Sequence, residues 1–152
     1  MDNEQSRDVF FMRQAIAQAR QAFSKGEVPI GAVVVCGERI VARGHNLVET
    51  LGDPTAHAEM QAITAATDVI GGKYLPECTL YVTVEPCPMC ASAAYWAQVG
   101  AVVYGAEDPK RGYSRIESPL LHPKTVIRTG VLEEECRALM TDFFRQMRDN
   151  SN

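Results

Sequence analysis

The sequence predicts an α/β fold, a three-layer α/β/α sandwich around a mixed five-stranded sheet. Three features predict it: a tight hairpin near the N-terminus, a strand-helix-strand unit in the middle, and apolar helical stripes at both ends. Met12, Ile16, Ala19 and Phe23 recur at helical spacing and Lys25-Gly26 supplies a stop, so a first helix is expected over roughly 6–25. Residues 31–36 and 39–43 read as antiparallel strands joined by Gly37-Glu38, a two-residue turn with glycine first. Asp53-Pro54-Thr55 is expected to start a second helix, whose stripe of Met60, Ile63, Thr67 and Ile70 runs to Gly71-Gly72 and whose first turn holds His57 and Glu59.

The β-branched run 79–84 predicts a strand, and Cys87-Pro88 opens a helix with proline near its first position, where the missing N–H costs nothing. Strand 101–104 follows at once, so this unit is expected to be a right-handed parallel crossover. Residues 126–128 supply a last strand, and a final helix carries Leu132, Cys136, Leu139 and Phe143 on one stripe, with Phe144 and Met147 beside it. Ala91, Tyr95 and Trp96 share the face of the Cys87 helix and are expected mostly in the core.

Length and composition limit the possibilities. The chain has 152 residues, enough for one domain spanning 1–152 with its own core. No apolar run approaches the roughly 18 residues of a membrane span. Residues 1–8 lack a basic start followed by an apolar stretch, so a cytoplasmic protein is expected. A net charge of −4 argues against indiscriminate nucleic-acid binding while leaving room for a local basic patch. Five cysteines, an odd number, argue against a full disulfide framework; Cys36, Cys78 and Cys136 lie in apolar patterns and are expected as unpaired core residues.

The other two cysteines carry chemistry. Taken alone, Cys87-x-x-Cys90 fits a redox pair or two buried thiols. His57, 30 residues before Cys87, with Glu59 two residues after it and prolines flanking Cys87, makes the combination specific for a catalytic zinc deaminase site. His57, Cys87 and Cys90 would supply three ligands and leave the fourth position to water, whose pKa zinc lowers to roughly 7. Both ligand groups lie where helix N-termini, each about half a positive charge, would favour thiolate and hydroxide. Glu59 is the candidate proton carrier. His45 is expected as a strand-end residue and His122 as a loop residue, outside the ligand set.

Three stretches, 27–33, 53–59 and 80–90, together resemble the bacterial tRNA-specific adenosine deaminases of the cytidine deaminase-like superfamily; the likeness runs from about 9 to 148 and includes Gly130-Val131-Leu132, Glu135-Cys136 and Phe143-Phe144. The resemblance implies a cytidine deaminase-like fold, one zinc per subunit, and a homodimer that converts adenosine to inosine at the first anticodon position in a tRNA anticodon stem-loop. It implies that Glu59 moves protons to and from C6 chemistry, that amides around Ala58 and Cys87 orient water and intermediate, and that Asn46 contacts the nucleotide. It also places Val28 and Pro29 in the base pocket and gives Asp108 a ribose hydroxyl to accept from. Lys110, Arg111, Arg115 and Lys124 are the local candidates for holding the RNA backbone.

The chain departs from relatives at 112–116 and 121–124, the expected RNA-facing loop. Cys87-Pro88-Met89-Cys90 with Tyr95-Trp96-Ala97 also resembles bacterial guanine deaminases, which act on a free base with the same zinc chemistry. A non-catalytic zinc-binding or RNA-binding module is the remaining reading; an intact Glu59 and a ligand set that stops at three argue against it.

Overall fold

The structure is a computed structural model and describes residues 2–151. Helix α1 (Asn3–Ser24) leads into β1 (Gly31–Cys36) and β2 (Arg39–His45), then short α2 (Val48–Leu51) and α3 (Ala58–Ile70). β3 (Cys78–Val84), α4 (Pro88–Ala97), β4 (Ala101–Ala106), β5 (Val126–Thr129) and α5 (Glu133–Asn150) follow. The five strands form one sheet in the order β2-β1-β3-β4-β5. β1 is antiparallel to both β2 and β3, whereas β3, β4 and β5 run parallel, so the sheet is mixed as expected.

Side chains alternate across the pleat, and both faces of the central strands are covered. On one face Leu80, Val82 and Val102 pack with Ala58, Ala62, Ala66, Ala91 and Ala94 of α3 and α4. On the other, Val33, Val35, Tyr81 and Val103 pack with Met12, Ile16 and Cys136 of α1 and α5. Small residues let helices approach closely. At Gly44 a Cβ would lie 2.5 Å from the Ala58 carbonyl oxygen and 2.9 Å from the Ala62 nitrogen, so β2 seats α3 directly on its backbone.

Several expectations need correction. α1 begins at Asn3, three residues early, because Asp2 and Gln5 form a capping box: the Gln5 N–H donates to Asp2 Oδ1 at 2.7 Å and the Asp2 N–H to Gln5 Oε1 at 3.2 Å. α3 begins at Ala58, not at residue 53. Asp53 Oδ1 accepts from the Thr55 N–H and from Thr55 Oγ1, both at 2.8 Å, and this local turn competes with helix. α2, at four residues, is too short for sequence periodicity to reveal. Cys36 and Cys78 are joined as a disulfide instead of packing as free thiols; they face each other across β1 and β3 with Cα atoms 4.4 Å apart. Cys136 is free and buried as expected. On α4, Ala91, Ala94 and Ala97 enter the core, but Trp96 is 74% exposed and Tyr95 lies partly outside, its ring tilted against that of His122. Among the described residues no helix is long and apolar enough to cross a membrane.

Candidate metal centre

Pairing directions decide which segments meet. β3 and β4 end, and β1 begins, at the same edge of the sheet, so the segments 27–30, 45–47, 56–59, 85–90 and 107–114 all gather there. The carboxyl ends of parallel strands are where open α/β sheets form their crevices. Backbone bonds tie the segments together. The Asn46 N–H donates to the Ile30 carbonyl at 3.1 Å and the Leu47 N–H to the Ala56 carbonyl at 2.9 Å, which places Asn46 next to the turn that carries His57.

His57 is the N-cap of α3 and Cys87 the N-cap of α4, both in extended backbone with no side-chain capping bond. Their side chains are therefore free to face each other beyond two helix N-termini. This resolves how His57 and Glu59 share a site: the histidine precedes the helix, so the opposed directions of residues two apart within a helix do not apply. Cys87 Sγ and Cys90 Sγ each lie 3.5 Å from His57 Nδ1. The three ligand atoms fall within 4.8 Å of one another, a cluster able to hold a metal ion. Zinc bonds of about 2.3 Å to sulfur and 2.0 Å to nitrogen at a tetrahedral angle require an N to S separation of about 3.5 Å, so the donor set fits that ion.

Glu59 is 3% exposed beside the cluster. Burial first, and then the Cys87 charge, push its carboxyl up to about 7, near the range where a group can both take and give a proton. Cys87 is held down at about 4, chiefly by the Cys90 thiol and also by His57, against the upward pull of burial. The Cys90 thiol is driven upward by its bond to Cys87 and by burial, and His57 is raised, foremost by its bond to Cys87. Zinc ligands bind in their deprotonated forms, so a bound cation would displace the protons that these interactions retain on Cys90 and His57.

The residues expected to bind substrate lie in the segments that meet at this end of the sheet. Pro29 and Asn46 are buried, Val28 is half-buried, and Ala58 opens α3 beside the ligands. Asp108 accepts from the Lys110 and Arg111 N–H groups at 3.1 and 3.0 Å, while the side chains of Lys110, Arg111 and Arg115 are exposed. Lys124 stands apart. It precedes β5, whose Val126 pairs with Ala101 at the start of β4, so it lies at the opposite end of the sheet. His45 bonds to Gln18 and Lys25, away from the ligand cluster.

Two buried carboxylates at this end of the sheet, Glu27 and Glu85, have no role legible in the sequence. Glu27 accepts from the Glu49 N–H at 3.0 Å and from the Thr50 N–H and Oγ1, both at 2.6 Å, which pins α2 beside Asn46. Glu85 does the corresponding work for residues 107–114. The available signal was a lone acidic residue flanking an apolar stretch, Glu27 before β1 and Glu85 after β3.

Comparison with known proteins places the chain. The MafB19-like deaminase family model matches residues 6–148. A tRNA-specific adenosine deaminase of Bacillus subtilis is 48% identical over 149 residues, covering 94% of this chain and 92% of the relative. A solved structure from work on A-to-I editing by tRNA:A34 deaminases at the wobble position of transfer RNA superposes with a TM-score of 0.80 at 40% identity, covering 86% of this chain and 98% of that one. A guanine deaminase of Bacillus subtilis superposes less well, with a TM-score of 0.64 at 39% identity over 78% of this chain and 79% of that one. Identity of this extent across nearly the whole of both chains, on the same sheet and helices, means that this chain belongs to the tRNA-specific adenosine deaminase family, with a cytidine deaminase-like fold.

Proposed function

We infer that this chain is a hydrolytic deaminase that converts adenosine to inosine at the wobble position of a tRNA, taking up water and releasing ammonia. The observation that carries the reading is the His57, Cys87 and Cys90 cluster at tetrahedral spacing with a buried carboxyl, Glu59, against it. Family membership supports the substrate.

In this reading His57, Cys87 and Cys90 hold one zinc ion per subunit. Zinc, when bound, lowers the pKa of a coordinated water to roughly 7 and polarises it for attack. Glu59 takes one proton from the attacking water and passes it to the ring nitrogen beside C6 of adenine, then carries the second, from the new C6 hydroxyl, to the amino group as it leaves as ammonia. Burial raises its carboxyl, which favours both taking up a proton and holding it for return. Such acid-base work is typically worth roughly 10² to 10⁴ in rate. The Ala58 and Cys87 amides orient the attacking water. Val28 and Pro29 wall the base, Asn46 fixes the nucleotide, and Asp108 accepts from a ribose hydroxyl, a group that DNA lacks.

The target base must leave its stack to enter such a pocket, and Lys110, Arg111 and Arg115 hold the backbone while it does. Lys124, at the far end of the sheet, is not part of that group. We infer further that a single deaminase domain spans the chain, that it acts as a homodimer, and that it works in the cytoplasm, where tRNA is found. Sedimentation showing only monomer at micromolar concentration would count against the dimer.

The deciding assay is ammonia release with mass-spectrometric identification of the base, from an adenosine-containing anticodon stem-loop and separately from free guanine. Inosine in the stem-loop, lost with Glu59→Ala, is the expected result. Xanthine from guanine with the stem-loop untouched would transfer the chain to the free-base chemistry of the guanine deaminases.

A further inference from the structure

Glu85 ends β3's apolar run with a charge, two residues before Cys87. The side chain is 4% exposed, and the hydrogen bonds to its carboxylate come from one segment of chain. The Asp108 N–H donates to Oε1 at 3.1 Å, and the Ser114 N–H and Oγ donate to Oε2 at 2.9 and 2.6 Å. A carboxylate this far from water depends on such donors, because leaving it unpaired is strongly unfavourable.

The same segment is bonded to the ligand turn through its backbone. The Tyr113 N–H donates to the Pro86 carbonyl at 2.9 Å and the Glu85 N–H to the Ala106 carbonyl at 2.8 Å. Within the segment, the Gly112 N–H closes onto the Asp108 carbonyl at 2.8 Å, and the Asp108 side chain caps the Lys110 and Arg111 amides. Gly112 lies flat against Glu85: a Cβ there would collide with the carboxyl group, although the backbone at φ −67° and ψ 151° accepts any residue. A side chain at 112 would therefore have to displace the carboxylate, while the backbone itself makes no demand for glycine.

We propose that Glu85 is a positioning residue for RNA binding, holding the Asp108 to Arg111 turn in register with the Cys87 ligand turn. One carboxylate thereby sets the separation between the metal-binding centre and the rim that grips the RNA backbone, while touching neither the reacting atoms nor the RNA. The inference rests on the reading of an anticodon stem-loop as substrate.

The test compares zinc-loaded wild type, Glu85→Ala, Glu85→Gln, Gly112→Ala and Ser114→Ala. KM and kcat are measured on the stem-loop, together with zinc content and the rate of tryptic cleavage after Lys110 and Arg111. Glu85→Ala is expected to raise KM about tenfold with kcat within about twofold and zinc content unchanged, the scale of losing bonds to a charged acceptor. Cleavage at 110–111 is expected to quicken in parallel. Glu85→Gln, which keeps one acceptor oxygen, should recover part of the loss. Gly112→Ala should reproduce the effect from the opposite side, and Ser114→Ala should show a smaller rise in KM. If Glu85→Ala does not fold, Gly112→Ala and Ser114→Ala decide the question. An unchanged KM with unchanged cleavage would overturn the proposal, as would a fall in kcat and zinc content at constant KM. A wild type inactive on the stem-loop would overturn the RNA reading instead, and the cleavage rates would still show whether Glu85 holds the segment.

Discussion

The ligand centre and the 107–115 rim lie at the same edge of the sheet, joined through Glu85, yet they are built in opposite ways. The centre is assembled from two helix N-caps and a buried carboxyl, with Cys90 and Glu59 nearly inaccessible and α3 seated directly on the glycine of β2. The rim exposes its cations, and its order comes from a few hydrogen bonds to Glu85 and Asp108. Chemistry that depends on water exclusion and ångström placement sits in packed backbone, where a fixed polar environment is effective. Recognition of a polyanion tolerates solvated, adjustable charges because phosphate contacts act through screened Coulomb attraction.

Removing the metal should break the centre outright. Chelation, or Cys90→Ala, is expected to reduce inosine formation to background, with zinc restoring the chelated protein but not the variant; atomic absorption and the deamination assay together check this. Glu59→Gln should come next, a loss on the order of 10² to 10⁴ in kcat with zinc retained. A near-normal rate would remove Glu59 from the mechanism.

Gly44→Ala examines the support beneath the centre. The added methyl meets the Ala58 carbonyl and Ala62 nitrogen, so α3 must shift, at a cost of about 1–3 kcal/mol in a urea melt. Zinc affinity should fall with it, since His57 caps that helix. At the rim, Arg111→Ala should be mildest: a few-fold rise in KM that shrinks as salt is added, with kcat and melting unchanged. A kcat effect from Arg111→Ala, or none on zinc affinity from Gly44→Ala, would erase the distinction between the two regions.

Much of the fold was legible because its signals are short-range. The Gly37-Glu38 hairpin, the β-branched run of β3 and the proline opening α4 each depend on neighbours within a few residues, and the structure reproduces them. Where a local side chain competes with the pattern, the element boundary moves. Asp53 turned back on Thr55 and delayed α3, and Asp2 capped α1 early. Tyr95 and Trp96 show the limit of an apolar stripe as a guide: their helix buries its alanines and leaves the large rings at the surface.

The sequence by itself determined the chemistry on offer, since His57, Glu59, Cys87 and Cys90 announce themselves by residue type and by spacing within single turns. Only the tertiary structure decided how those groups are held. His57 faces the thiols because it lies before its helix, Cys36 meets Cys78 because β1 pairs with β3, and Lys124 falls at the far end because β5 runs parallel to β4. The roles of Glu27 and Glu85 depend on donors 22 to 29 residues away. Periodicity and turn chemistry act over a few residues, whereas strand pairing and the satisfaction of a buried charge are settled only when distant segments meet.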